Sequence, residues 1–189
     1  MSTNVAPTRA SAPAGVSHLV LNVRDIEASH RFWTEIMGFE QAAAMRPESG
    51  LTMRFYRGGS AGHHHDVALA QVRNPAEAGE AGKWSMAGSG PGLNHVAIAY
   101  PDRDSWLQQV AHLQANGVTF LMRGEHGMSH SVYIADPDGH GIEVLYDLPE
   151  EVWEGDLNAA FNYFKPLPRD GEAALVDDTD YRVFAPAQG

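Results

Sequence analysis

The feature that most restricts the fold of this 189-residue chain is an internal echo. Gly15-Val-Ser-His18-Leu-Val and Gly92-Leu-Asn-His95-Val-Ala each open a strand-like run with a histidine in the same place. Over residues 16–23, His18, Val20 and Asn22 share one face and Leu19, Leu21 and Val23 the other, which is the period of a strand. Asp25 offers a helix N-cap, Ile26, Trp33, Ile36 and Met37 fall on one helical face, and Gly38 supplies a stop. Residues 53–57 and 65–72 read as further strands around a glycine-rich turn at 58–62. The second half repeats the order. Residues 93–99 alternate, with His95, Ala97 and Ala99 on one face, and 102–116 form a helix with Trp106, Val110 and Leu113 on its buried stripe. Strands are predicted at 118–122, 131–135 and 141–146, with Asp136-Pro-Asp-Gly139 turning into the last.

The expected fold class is therefore α+β, with two paired β-α-β-β-β modules at 15–72 and 92–147 whose curled mixed sheets enclose one cavity. Residues 1–14 read as a disordered leader, 73–91 as a linker loop, and 148–189 as a tail. A helix is predicted over 150–164, with Trp153, Leu157, Phe161 and Phe164 on one side, before an acidic, irregular end at 170–189. Charge narrows the partners. A net charge of -11 disfavours nucleic acid and anionic membrane, and no apolar run is long enough for a membrane span. With no cysteine, disulfides, thiolate metal sites and cysteine nucleophiles are excluded, and a cytoplasmic location fits.

Two imidazoles and one carboxylate are the donors of a redox-active ferrous site that leaves positions open for substrate and oxygen. His18 and His95 occupy equivalent places in the repeat, and Glu143 sits among Ile142, Val144 and Leu145. A buried carboxylate is costly unless paired or metal-bound, so either an ion or an arginine partner is required of Glu143. In His63-His64-His65-Asp66, one of His64 and His65 is expected to enter the cavity as a proton carrier, against the plainer reading of an exposed histidine loop. Tyr133 lies on the strand before Glu143, where a phenol reaches a metal-bound oxygen or simply fills the core. His126 and His130 are read in the loop leading to that strand, at the cavity mouth or in solvent.

The stretch from His126 to Val144, with His64-His65-Asp66-Val-Ala-Leu and the openings at His18 and His95, resembles the vicinal oxygen chelate superfamily, which spans glyoxalases, bleomycin resistance proteins and dioxygenases. Within it the chain is most similar to type I extradiol, catechol 2,3-dioxygenase-like enzymes. The resemblance covers about residues 16–147. It implies His18, His95 and Glu143 as ligands of Fe(II), less often Mn(II), at the cavity between the modules. It further implies His65 as the acid–base histidine, Tyr133 as the substrate-oxygen contact, and His126 as the loop histidine that closes over the ring. The interval from His126 to Tyr133 is short for that family, so His130 competes with His126 for this role. A catechol-type diol and O2 are the implied substrates, in the degradation of aromatic compounds, and a homo-oligomer is expected from apolar positions in the tail. Two rivals share the scaffold: a glyoxalase-like lyase or epimerase, which needs a fourth ligand from the first half, and a non-catalytic binder of a small aromatic molecule.

Overall fold

The computed structural model describes residues 10, 12–59, 62–79, 81–88 and 90–185. The predicted leader at 1–14 lies outside these except for residues 10 and 12–14. In the first module β1 (Leu19–Val23) leads to α1 (Ile26–Arg31), a π-helical turn at Phe32–Ile36, then β2 (Glu40–Ala44), β3 (Met53–Arg57) and β4 (Val67–Gln71). Asp25 caps α1 as expected, its side chain accepting from the Glu27 and Ala28 amides. The chain leaves the π turn through Gly38 at φ 79°, a left-handed geometry that glycine adopts without steric cost. The sheet order is β1-β4-β3-β2, with β1 parallel to β4.

The second module comprises β5 (His95–Ala99), α2 (Arg103–Ala115), β6 (Met122–His126), β7 (Ser129–Ala135) and β8 (Gly141–Asp147). Asp102 caps α2 through the Ser105 amide, and Trp106, Val110 and Leu113 are buried on the helix face that covers the sheet. The tail follows as α3 (Glu150–Trp153), α4 (Leu157–Phe161) and β9 (Phe164–Pro166). Because β9 pairs antiparallel with β6, the second sheet has five strands in the order β5-β8-β7-β6-β9.

Both modules thus show the predicted β-α-β-β-β order, although β2 matches no strand expected from the sequence, and three further local points are corrected. The strand expected at 118–122 starts only at Met122 and runs to His126. His126 and His130 are not in a loop, because a hairpin at Gly127-Met128 joins β6 directly to β7. In the tail, the single helix expected over 150–164 is two short helices, and Phe164 begins a strand.

Apolar residues of both modules form one core, with Trp33 and Phe39 from the first and Trp106, Val110 and Val144 from the second. Polar bonds fasten the modules at the helix side. The Tyr100 hydroxyl donates to the Met37 carbonyl at 3.0 Å and the Gln109 amide to the Ile36 carbonyl at 2.8 Å. Arg24, just past β1, donates through Nε to Asp138 Oδ1 at 2.7 Å in the β7–β8 turn. No described helix is long and apolar enough to cross a membrane.

Candidate functional site

Alternation decides which side chains of the second sheet meet. Tyr133 stands opposite Glu143, and Glu143 opposite Ala97, so all three share the face away from α2. His95 lies two residues before Ala97 on the same face. The result is a connected group. Glu143 Oε1 accepts from Ser131 Oγ at 2.6 Å and from the Tyr133 hydroxyl at 2.7 Å, while Oε2 lies 3.1 Å from His95 Nε2. The Tyr133 hydroxyl is also 3.0 Å from His126 Nε2. Glu143 is 7% exposed. Burial, then the bond to Glu143, pushes the Tyr133 phenol well above its ordinary value, while burial lowers that of His126. No arginine partners Glu143 among the described residues; its polar neighbours are a serine, a tyrosine and a histidine.

His130 projects from the opposite face of β7, between His126 and Tyr133 in sequence but away from both. Its Nδ1 lies 2.9 Å from Asp177 Oδ1, and the residue is 2% exposed. Of the two, it is His126 that stands beside Tyr133.

The first module gathers a separate set. The His18 ring lies 4.4 Å from that of His65 and 6.2 Å from that of His64, and His65 also meets Phe55 edge-on at 5.1 Å. Strand alternation from Val67 would have placed His65 on the core face, but β4 begins only at Val67, and the preceding turn brings His65 round to His18 and Phe55. Partial burial, then the neighbouring His18 and His64, lowers the His65 value. Asp66 is engaged, with Oδ2 accepting from the Gly58 amide at 2.8 Å and Oδ1 lying 3.2 Å from His63.

The fit to a metal ion is therefore partial. His95 and Glu143 converge, His18 lies with His64 and His65 instead, and among the described residues no three His, Asp or Glu side chains are grouped closely enough to hold an ion. A cleft of about 720 Å³ between the modules, lined by Phe39, Asp66, Ala97 and Tyr100 among others, contains neither histidine group.

Two features of the site escaped the sequence. Trp84, in the segment read as a linker, stacks on Tyr133 with ring centres 5.3 Å apart and planes 9° from parallel, and its Nε1 donates to the Asn94 carbonyl at 2.8 Å. A Cβ on Gly141 would fall 2.1 Å from that nitrogen, so the bare glycine is what admits the indole. Phe164, in β9, sits beside His126 with ring centres 5.1 Å apart. A Trp-Ser-Met run amid Ala and Gly was a signal for the first; the second had none, since pairing of β9 to β6 is non-local.

Residues 15–144 match the Glyoxalase/Bleomycin resistance protein/Dioxygenase superfamily, and the chain belongs to it. Among curated relatives it is 29% identical over 141 residues to the catechol-2,3-dioxygenase of Bacillus subtilis (strain 168), covering 75% of this chain and 44% of that protein. It is 22% identical over 174 residues to the lactoylglutathione lyase of Schizosaccharomyces pombe (strain 972 / ATCC 24843), covering 85% of this chain and 57% of the other. The chain thus spans under two thirds of the length of either relative. The solved glyoxylase/bleomycin resistance protein/dioxygenase domain from Frankia sp. EAN1pec shares the fold, with a TM-score of 0.57 at 20% identity over 72% of this chain and 94% of that one.

Proposed function

We propose that the protein is a metal-dependent extradiol dioxygenase that opens the ring of a catechol-type diol with O2, using Fe(II) or, less often, Mn(II). The observation that carries this reading is the Glu143 carboxylate, which faces His95 with one oxygen and is held by Tyr133 and Ser131 with the other. Such a carboxylate, buried with no arginine beside it among the described residues, is suited to a cation. Similarity to the Bacillus subtilis catechol-2,3-dioxygenase supports the choice of chemistry.

His95, Glu143 and His18 would hold the ion, which supplies positive charge and electron transfer to bring diol and oxygen together. Tyr133 orients a substrate oxygen through its hydroxyl. His126, 3.0 Å from that hydroxyl, is placed to exchange a proton with it, and Trp84 shields the face of the phenol from water. His65, packed on His18, is the proton carrier of the first module.

His18 completes the set from a second copy of the chain. β1 and β5 are each the terminal strand of their sheet; His18 lies just before β1, His95 opens β5, and Glu143 is on β8, the strand beside β5. β1 of one copy set beside β5 of another would join the halves in a homo-oligomer.

The lyase reading needs a carboxylate from the first module, and Asp66 is already engaged by Gly58 and His63. Oxygen uptake by anaerobically Fe(II)-loaded protein, measured over a panel of substituted catechols, tests the proposal. Uptake with ring-opened product is expected. No uptake, with isomerisation of a glutathione hemithioacetal, would assign the lyase, and binding of diols without metal or turnover would assign the binder.

A further inference from the structure

The family match ends at residue 144, yet the tail beyond it reaches the candidate site. β9 pairs with β6 so that Phe164 stands directly opposite His126, on the same face. Tyr133 pairs with Glu143 and with Met122, four residues before His126, and its hydroxyl reaches His126 through the side chain, so Glu143, Tyr133, His126 and Phe164 run diagonally over four adjacent strands, β8, β7, β6 and β9. With three strand spacings across the sheet and four residues along it, the main chains of Phe164 and Glu143 lie about 20 Å apart. A single ring held by both its oxygens at the Glu143 end stops short of that residue.

Phe164 is seated by design of the strand beside it. A Cβ on Gly124 would fall 2.1 Å from Phe164 Cε2 and 2.7 Å from Cζ, so the ring occupies the space a side chain on β6 would fill. Its anchor is on the other face of the same strands. The buried Arg123 guanidinium donates to the tail carbonyls of Pro168, Ala173 and Val176 and to Asp177 Oδ1, and Asp177 also takes the Tyr146 hydroxyl at 2.6 Å. Held this way, Phe164 is still 44% exposed, with its ring beside His126. A large apolar surface, rigidly placed and left open beside polar catalytic candidates, is a binding wall rather than core.

We propose that Phe164 is the specificity-determining wall of a subsite for an apolar ring borne by the substrate opposite its diol, so that the preferred substrates are 4-aryl catechols. This rests on the ring-cleavage reading for the placement of the diol. Trp84 over Tyr133 and Phe164 against His126 then bracket the substrate from its two ends.

The test is anaerobic calorimetry of catechol and 4-phenylcatechol on the Fe(II)-loaded full chain, read as the ratio of their dissociation constants, with oxygen uptake recorded separately. Wild type should prefer 4-phenylcatechol by about 10-fold. Phe164→Ala should erase the preference, Phe164→Leu should keep part of it, and Gly124→Ala, which expels the ring from its seat, should resemble Phe164→Ala. Equal binding of the two diols by wild type, or a preference that survives in Phe164→Ala, overturns the subsite even if catechol is cleaved. A Phe164-dependent preference without oxygen uptake sustains the subsite and defeats the ring-cleavage reading. Failure of wild type to bind either diol overturns both.

Discussion

The Tyr133 hydroxyl donates a 2.7 Å hydrogen bond to Glu143, whose carboxylate also faces His95. That bond ties the orientation of a proposed ligand to a side chain that has its own contact with His126. Tyr133→Phe should therefore lower turnover of a catechol by about 10²-fold or more while the protein stays folded, losing roughly 1 kcal/mol. Steady-state oxygen uptake and thermal melting check both parts, and full turnover in this variant would remove Tyr133 from the reaction.

His18→Ala and Glu143→Ala should each lose bound iron when expressed alone. If the centre is shared between copies, unfolding the two variants together and refolding them should restore about a quarter of wild-type iron, because half of the random dimers carry one intact site of two. Iron analysis of the mixture decides this, and a mixture as empty as its parents would mean that a single chain supplies all three ligands.

His65 contacts His18 and the Phe55 ring. Replacement by alanine should reduce turnover by about 10²-fold or more, the lower range for a lost acid–base group, with iron content near that of wild type. Unchanged turnover would leave His65 as a packing residue.

Asp177 fixes the tail and makes its folding acid-sensitive. Burial alone would raise its value, but bonds from His130 and Tyr146 and the Arg123 charge bring it below the ordinary 3.8. A depressed folded-state carboxylate contributes stability that is complete above the unfolded value and is lost as pH falls through the folded one. Tail detachment, followed by near-ultraviolet circular dichroism at Tyr146 and Tyr181, is thus expected below about pH 4. Asp177→Asn should cost about 3 kcal/mol at pH 7, because Arg123 is left buried without its counter-charge, and should flatten the acid transition. An unchanged acid profile in this variant would relocate the transition to other carboxylates.

Gly141→Ala should displace Trp84, since the added methyl overlaps the indole nitrogen. A red shift of tryptophan emission and a loss of about 1–3 kcal/mol are expected. Emission identical to wild type would show that the backbone absorbs the methyl.

The strands and helices that the sequence revealed are those whose patterns are set locally. Asp25 and Asp102 cap the helices where predicted, and the alternation around His18 and His95 matches β1 and β5. Elements governed by distant partners were hidden. β2 is Glu40-Gln-Ala-Ala-Ala44, exposed throughout and made of helix-favouring residues, so it carries no strand signature. β6 buries Arg123 and Glu125, which find Asp177 and Lys165 in the tail, and a charged strand with remote partners reads locally as a loop. For the site, Glu143 was legible because a carboxylate in an apolar strand demands explanation. Trp84, Phe164 and the burial of His130 were not, because each depends on which segment folds over which face.

Covering the flank of β6 has a further outcome for handling the protein. A chain cut before Phe164 would present an open row of main-chain donors and acceptors on β6, a template for indiscriminate strand addition. Shortened forms are expected to precipitate rather than merely lose activity, and a C-terminal fusion partner needs a spacer that leaves the final turns free to dock.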